Sequence, residues 1–196
     1  MRFLSAFRGK LRGRTALVRV DFNVENPREA WRVEAITPTV RFLLKRGARV
    51  VLISHRGRPN HKLEVRSSKF EVPAVLTLRV FMPVLEKLLR QKIVFLREVP
   101  KELPKGKLFL LENLRFWHGE EKNDMRFARQ LARLADLYVN DAFASSHRRA
   151  ASIVAITKLL PSYAGLCLER EIKTLGRVMT HPRQPLVLII GLRPDI

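Results

Sequence analysis

Residues 49–59 read RVVLISHRGRP, and this stretch decides the expected fold. Its first five residues form a short, largely apolar run without polar alternation, which is typical of a strand buried on both faces of a parallel sheet. A mostly polar segment, from Ser54 to Pro59, follows at once. Because ligands bind beyond the carboxyl ends of the strands in an open parallel sheet, the stretch predicts a buried strand that leads into a functional loop.

Similar runs recur along the chain, at residues 16–20, 93–96, 108–111, 137–139 and 186–190. Helical patterns lie between several of them, at residues 39–45, 83–89 and 166–178, and Asp124 is suited to cap a further helix. Alternating strands and helices favour an α/β fold with right-handed crossovers. We therefore expect a doubly wound, Rossmann-like parallel sheet that is flanked by helices.

The last part of the chain predicts a change of domain. Residues 181–185 have the composition of a hinge, and the apolar run at 186–190 reads as a strand that begins a unit the chain does not finish. We therefore expect one domain over residues 1–180, followed at 181–196 by a hinge and the first strand of an absent second domain. The alternative is that residues 186–190 form an ordinary edge strand of the same sheet.

Composition narrows the class of protein. The single cysteine among 196 residues excludes an internal disulfide framework and a Cys-rich zinc site, and it favours a reducing compartment such as the cytoplasm. The apolar runs are far shorter than the roughly 18 residues that cross a bilayer, so no membrane partner is expected. A net charge of +20, with no acidic residue before Asp21, attracts nucleic acid, acidic surfaces or phosphorylated metabolites, and charge alone does not choose among them.

The segments that follow four predicted strands carry the candidate site. They contain the following polar residues: Asp21 and Asn23, then His55 and Arg58, then Arg115, then Arg148 beside His147. The three arginines with His55 would neutralise a small dianion such as a phosphate ester through charge-assisted hydrogen bonds. Asp21 and Asn23 suit a substrate hydroxyl or hold a neighbouring arginine, and any one of these side chains alone also fits a structural ion pair or loop cap. Glycine-rich nucleotide loops and metal-ligand spacings are absent from the sequence, so it indicates an anion site without a nucleotide site or a metal site.

Four stretches resemble the signatures of the phosphoglycerate kinase family, in the family's order. They are VRVDFN at 18–23, SHRGRP at 54–59, LLENLRF at 110–116, and VNDAF at 139–143 followed by His147 and Arg148. The resemblance runs from about Leu17 to Ile190, which corresponds to the N-terminal, substrate-binding half of the family. The segment LPSYAG at 160–165 is more similar to archaeal members than to bacterial or animal ones.

The resemblance implies a glycolytic and gluconeogenic kinase that moves a phosphoryl group between 1,3-bisphosphoglycerate and ADP, or from ATP to 3-phosphoglycerate. By resemblance, Asp21 and Asn23 would meet the hydroxyl and carboxylate end of 3-phosphoglycerate. The phosphate of that substrate would be held by His55, Arg58, Arg115 and Arg148. Residues 31–40 align with the family's arginine-containing segment, which makes Arg32 the candidate catalytic residue that stabilises the transferring phosphoryl group.

Two departures from the family pattern stand out. Arg56 replaces a leucine or glutamine and adds a charge beside the site, with no effect that the sequence predicts. At the end of the chain the family's Gly-Gly-Ala-Lys-Val is replaced by GLRPDI. By resemblance, Gly191 and Arg193 are the candidates for contacting the transferred phosphate, but the second glycine is absent and Pro194 alters the turn.

The resemblance places Mg-ATP or Mg-ADP on the C-terminal half of the family, so we expect no cofactor in this chain and no turnover by the chain alone. A separate nucleotide-binding domain would then be its partner. The alternative reading is a basic nucleic-acid-binding or assembly protein that has kept the fold without kinase activity. A homodimer that forms through the terminal strand is a further alternative.

Overall fold

A parallel sheet runs through the protein, and it brings four predicted loops to one edge. The computed structural model describes residues 1–24, 30–59, 75–187 and 189. Its strands are β1 (Thr15–Arg19), β2 (Arg49–Ile53), β3 (Ile93–Leu96), β4 (Leu108–Leu111), β5 (Leu137–Asn140) and β6 (Ser162–Ala164). Within the described residues these six strands pair in the order β3-β4-β2-β1-β5-β6, and every pairing is parallel. The doubly wound α/β fold expected from the sequence is therefore confirmed.

Helices cover both faces of the sheet. They are α1 (Ala30–Ala35), α2 (Thr37–Lys45), α3 (Met82–Leu89), α4 (His118–Glu121), α5 (Met125–Ala132) and α6 (Leu166–Thr180). The four helices predicted from the sequence are found, with proline in the first turn of α2 and α3. The Asp124 carboxylate caps α5 by accepting bonds from the N–H groups of Arg126 (2.6 Å) and Phe127 (2.9 Å).

Each face of the sheet has its own apolar core, because neighbouring strand residues point to opposite sides. Val18 and Leu52 face α2 and α3, where they pack with Val40 and Leu85. On the other face Leu17, Val51, Phe109 and Tyr138 pack against α5 through Phe127 and Leu131. Burial of each such side chain stabilises the fold by roughly 1.5–3 kcal/mol relative to an exposed one. The two cores therefore fix the strand ends that carry the polar loops.

The sequence patterns missed one strand, and another predicted strand falls partly outside the described residues. The unpredicted strand β6 is only three residues long and extends the sheet beside β5. In the run at 186–190, the described residues Leu186, Val187 and Ile189 are exposed and lie outside the sheet, while residues 188 and 190 fall outside the described ranges. The alternative of an edge strand in this sheet is not supported by the described residues, and the domain boundary at 180 stays a prediction.

Among the helices in the described ranges, none combines the length and the apolar character that a bilayer-spanning segment needs.

Candidate anion-binding site

A cleft opens at the carboxyl edge of the sheet, where β1, β2, β4 and β5 end. Its volume is about 290 Å³. Three of the predicted residues line it: His55, Arg115 and Arg148. The remaining lining residues are Arg19, Glu120, Glu121, His147, Arg149, Ala150 and Ile153. Cationic side chains outnumber carboxylates around the cleft, so its chemistry favours an anion.

His55 is neutral and faces the cleft with a free N–H. The ring is only 3% exposed, and its Nδ1 lies 2.6 Å from Nη2 of Arg19. Burial, together with the nearby charges of Arg19, Arg115 and Arg148, lowers the pKa of His55 to about 2. Since the guanidinium can only donate, Nδ1 accepts, and the proton of the neutral ring resides on Nε2, which is buried and has no hydrogen-bond partner within the described residues.

This protonation state corrects one expectation from the sequence. His55 was expected to help neutralise a bound dianion, but its neutral ring contributes no charge. Its contribution is a single hydrogen-bond donor that is fixed in direction by Arg19. The positive charge of the cleft comes from the arginines.

Arg19 is a site residue that the sequence analysis missed, and it is held on three sides. Its Nη1 donates to the carbonyl oxygen of Val20 (2.5 Å) and to Oγ of Ser54 (3.2 Å), while its Nε donates to Oγ of Ser152 (3.1 Å). The Ser152 hydroxyl in turn donates to Oε1 of the buried Glu120 at 2.5 Å. Burial lowers the pKa of Arg19, and the neighbouring carboxylate of Glu120 opposes that shift. A rigid polar chain therefore runs from Glu120 through Ser152 and Arg19 to His55.

Arg148 enters the cleft from the loop after β5. Asn140 shapes this loop, because its Oδ1 accepts from the N–H of Ala142 (3.1 Å) and its Nδ2 donates to Oγ of Ser146 (3.0 Å). The N–H of Ala151 donates to the carbonyl of Glu120 at 2.8 Å, which ties the far side of the loop to α4. Nε of Arg148 is buried without a partner in the described part of the chain. It is therefore a second unused donor, along with Nε2 of His55.

Arg115 joins the cleft to the neighbouring loop. Its Nη1 donates to the carbonyl of Gly57, and its Nε lies 3.0 Å from Oε1 of Glu121. Burial is the main cause that lowers the pKa of Arg115, and the nearby cations Arg148 and Arg58 add to the effect. The side chain of Arg58 is exposed beside the cleft rather than part of its lining. The charge of Arg58 therefore acts on Arg115, and its exposed side chain is accessible to a ligand.

A second group of predicted residues gathers around Asp21. Its Oδ2 lies 2.5 Å from Nη1 of Arg32, and its Oδ1 accepts from the N–H of Asn23 at 3.1 Å. Oδ1 of Asn23 accepts from the N–H of Gly57 at 2.9 Å, which links this group to the loop that Arg115 contacts. The Arg32 guanidinium also stacks over Trp31, with 4.7 Å between Cζ and the ring centroid, and its Nε is buried without a partner in the described residues. Asp21 therefore holds a neighbouring arginine, which is one of the two roles that its residue type allowed.

The loop after β2 is fixed by a buried asparagine and by Arg56. Nδ2 of Asn113 donates to the carbonyls of Arg56 (2.7 Å) and Leu76 (2.9 Å), and its Oδ1 accepts from the N–H of Arg56 at 3.1 Å. The Arg56 side chain donates from Nε to the carbonyl of Val24 at 3.1 Å and lies over the ring of Phe81. The sequence left the effect of Arg56 open; in the structure it is a buried residue whose hydrogen bonds hold the loop in place. Gly57 has a positive φ of 60°, and a Cβ there would lie 2.5 Å from Cδ2 of Leu76, so this position favours glycine.

The remaining predicted residues, Gly191 and Arg193, lie outside the described ranges.

Both the sequence and the fold of this chain are similar to those of known proteins. The family model for phosphoglycerate kinase matches residues 7–192. The chain belongs to the phosphoglycerate kinase family. A phosphoglycerate kinase from Moorella thermoacetica is 43% identical over 196 residues, which cover 93% of this chain and 47% of the relative. One from the Wolbachia of Drosophila simulans is 40% identical over 193 residues, which cover 92% of this chain and 46% of the relative.

Solved phosphoglycerate kinases also match the structure. The enzyme from Coxiella burnetii superposes with a TM-score of 0.79 at 28% identity, covering 93% of this chain and 46% of that one. The enzyme from Pyrococcus horikoshii gives a TM-score of 0.77 at 30% identity, covering 94% and 47% of the two chains. The chain thus spans about half the length of the relatives that it matches.

Proposed function

We propose that the carboxyl-edge cleft binds 3-phosphoglycerate, or the corresponding part of 1,3-bisphosphoglycerate, for phosphoryl transfer in glycolysis and gluconeogenesis. The observation that carries the proposal is the pair of buried, unused donors, His55 Nε2 and Arg148 Nε, in a cleft lined mainly by arginines. Buried N–H groups without partners are costly, and an anion that accepts from both removes that cost. The family to which the chain belongs supplies the identity of the anion.

The geometry supports a division of roles among the site residues. His55, Arg58, Arg115 and Arg148 would hold the phosphate of the substrate. Asp21 and Asn23, on the far side of Gly57, would meet its hydroxyl and carboxylate end. Arg32, held by Asp21 with its Nε unused, would stabilise the transferring phosphoryl group, because such transfer depends on positioning and on neutralising the charge of the equatorial oxygens.

Nucleotide binding is proposed to come from a separate unit. Mg-ATP or Mg-ADP would be held by a nucleotide-binding domain that approaches the carboxyl edge, with Gly191 and Arg193 as proposed contacts to the transferred phosphate. We place the reaction in the cytoplasm. The 196-residue chain by itself should bind substrate without turnover, because the transfer requires two domains to close over the reactants.

Titration calorimetry with 3-phosphoglycerate at about 0.15 M salt, where diffuse charge is screened, tests the proposal. We expect saturable binding that is lost in the double variant Arg58→Ala, Arg115→Ala. A matched control, Arg126→Ala with Arg129→Ala, removes two exposed arginines from α5 and should bind like the parent chain. Equal binding by both double variants, or steady-state kinase activity from the purified chain alone, would contradict the proposal.

Self-association through the terminal segment is a separate proposal. Leu186, Val187 and Ile189 are exposed apolar side chains, which would be buried if two chains paired there. Light scattering of the chain with and without residues 186–196 measures this directly. A monomer in both cases rejects the dimer.

A further inference from the structure

The edge of the sheet opposite the cleft carries more than half of the net positive charge of the chain. We define the amino edge as the segments that lead into β1 to β6: residues 8–14, 45–49, 90–92, 101–107, 133–136 and 157–161. These segments contain fourteen Lys and Arg residues, against Glu102 and Asp136 as the acidic ones. Their net charge of +12 compares with +20 for the whole chain. The basic residues are Arg8, Lys10, Arg12, Arg14, Lys45, Arg46, Arg49, Arg90, Lys92, Lys101, Lys105, Lys107, Arg133 and Lys158.

Backbone hydrogen bonds join three of these segments, residues 8–14, 45–49 and 101–107. The N–H of Gly13 donates to the carbonyl of Gly47 at 3.3 Å, and the N–H of Arg49 donates to the carbonyl of Arg14 at 2.8 Å. The N–H of Val50 then donates to the carbonyl of Lys107 at 2.8 Å. With strands about 4.8 Å apart, six strands place their leading segments along a strip of roughly 24 Å.

Most of these charges have no structural function. Arg46 and Arg49 are half-buried and brace the loops, since Arg46 donates to the carbonyl of Phe7 at 2.8 Å and Arg49 to that of Pro104 at 2.7 Å. The other twelve are exposed, and none forms an ion pair within the described residues. The carboxylate of Asp136 is partly satisfied by the N–H of Thr15 at 2.7 Å. The strip is therefore a row of free cations.

The absence of exposed large apolar side chains from the six segments limits the class of partner that the amino edge can bind. In the six segments, all of which are described, no large hydrophobic or aromatic side chain is exposed. A single-stranded nucleic acid needs aromatic platforms on which its bases stack, and a membrane-surface site needs apolar side chains to insert. A duplex needs neither, because its bases are already stacked and its phosphates are presented in regular rows.

We propose that the amino edge binds double-stranded nucleic acid through its phosphates, without reading its sequence. A strip of roughly 24 Å spans about seven base pairs at about 3.4 Å each. The strip lies at the opposite end of the strands from the substrate cleft, so the two sites can be occupied together.

The test is fluorescence anisotropy of the 196-residue chain with a labelled 20-base-pair duplex of mixed sequence, over a series of salt concentrations. The test variant carries Arg12→Gln, Arg14→Gln, Lys105→Gln and Lys107→Gln. The control variant removes the same charge from exposed residues away from the amino edge, with Arg97→Gln, Lys122→Gln, Arg126→Gln and Arg129→Gln.

We expect the test variant to bind the duplex at least about tenfold more weakly at low salt, with a log–log salt slope shallower by roughly three to four, because each lost phosphate contact removes about 0.9. The control variant should stay within about twofold of the parent chain. Retained 3-phosphoglycerate binding and unchanged thermal unfolding in both variants show that the fold is intact.

Three results would overturn the proposal. Equal losses in the two variants would mean that net charge alone attracts the duplex. Displacement of the duplex by saturating 3-phosphoglycerate, or by the double change at Arg58 and Arg115, would place the contact at the carboxyl edge. Tighter binding to single strands or to anionic vesicles than to the duplex would assign the amino edge to a different class of partner.

Discussion

Arg19 sets the tautomer of His55 by donating from Nη2 to Nδ1 over 2.6 Å. The guanidinium has no acceptor, so the imidazole nitrogen that faces it must accept. The ring proton therefore lies on Nε2, which is buried without a protein partner in the described residues, and His55 is one of the residues that line the cleft. A buried strand residue thus determines which atom of the site can donate to a phosphate.

Two amide substitutions at His55 test this arrangement. A glutamine can place its N–H close to the position of Nε2, whereas the shorter asparagine places it near Nδ1, against the Arg19 guanidinium. We expect His55→Gln to keep 3-phosphoglycerate binding within about fivefold. His55→Asn should lose about tenfold or more, since a hydrogen bond to a charged group contributes roughly 1.5–3 kcal/mol. Titration calorimetry measures both, and equal affinities for the two variants would contradict the assigned tautomer.

The Glu121 carboxylate would repel an anion that binds in the cleft. Its Oε1 lies 3.0 Å from Nε of Arg115, and the side chain also lines the cleft. Glu121 is itself exposed, and the interaction of an exposed charge is worth only about 0.2–1 kcal/mol. We therefore expect Glu121→Gln, which removes the repulsion between this carboxylate and the bound anion, to tighten 3-phosphoglycerate binding by roughly two- to fivefold. Glu102→Gln, the same change at the amino edge, is the matched control and should alter affinity little. A gain that does not shrink as salt rises would argue against an electrostatic cause.

The sequence predicted the fold well because the signals were local. Runs of buried strand residues and helical periodicity depend on neighbours along the chain, and five of the six strands of the described sheet followed from them. The sixth, Ser162–Ala164, has three residues with one polar member and no long apolar run. Its place in the sheet comes from pairing with Leu137–Asn140, which is a tertiary contact.

The site was only partly predictable because its electrostatics depend on distant residues. Arg19 lies inside an apolar strand run, and its partner Ser152 is 133 positions away. Nothing local marks it as the group that orients His55, although a buried arginine in a strand is itself an unusual signal. The neutral state of His55 likewise arises from burial and from three arginines contributed by separate strands and loops.

Asp141 predicts a dependence of stability on pH that is opposite to that of most carboxylates. Burial raises its pKa to about 6, while its Oδ1 accepts from the N–H groups of Cys167 (2.9 Å) and Leu168 (3.0 Å). The folded state therefore binds this proton more tightly than the unfolded state, whose ordinary pKa is 3.8. The stability contributed by the neutral form is present below pH 3.8 and is lost as pH rises through about 6.

Asp141→Asn keeps an acceptor oxygen and removes the ionisation. The unfolding free energy of the variant minus that of the parent chain should increase by on the order of 1–2 kcal/mol when the pH is raised from about 5 to about 8. Urea unfolding at the two pH values measures this difference. Asp124→Asn is the control, because backbone N–H bonds, chiefly from Phe127, lower the pKa of Asp124, so its titration falls below this window. A constant difference between Asp141→Asn and the parent chain would contradict the raised pKa.

Gly165 is required for steric reasons, and Gly176 is not. A Cβ on Gly165 would lie 2.3 Å from Oδ1 of Asp141, a carboxylate that cannot retreat without losing its bonds to the first turn of α6. We expect Gly165→Ala to lower the unfolding free energy by about 1–3 kcal/mol, the usual cost of overpacking. Gly176 lies in α6, and nothing lies within 4 Å of the position that its Cβ would take. Gly176→Ala should therefore raise the unfolding free energy by about 0.5–1 kcal/mol, because alanine has the higher helix propensity. Both are measured by urea unfolding, and a Gly165→Ala chain as stable as the parent would show that Asp141 moves freely.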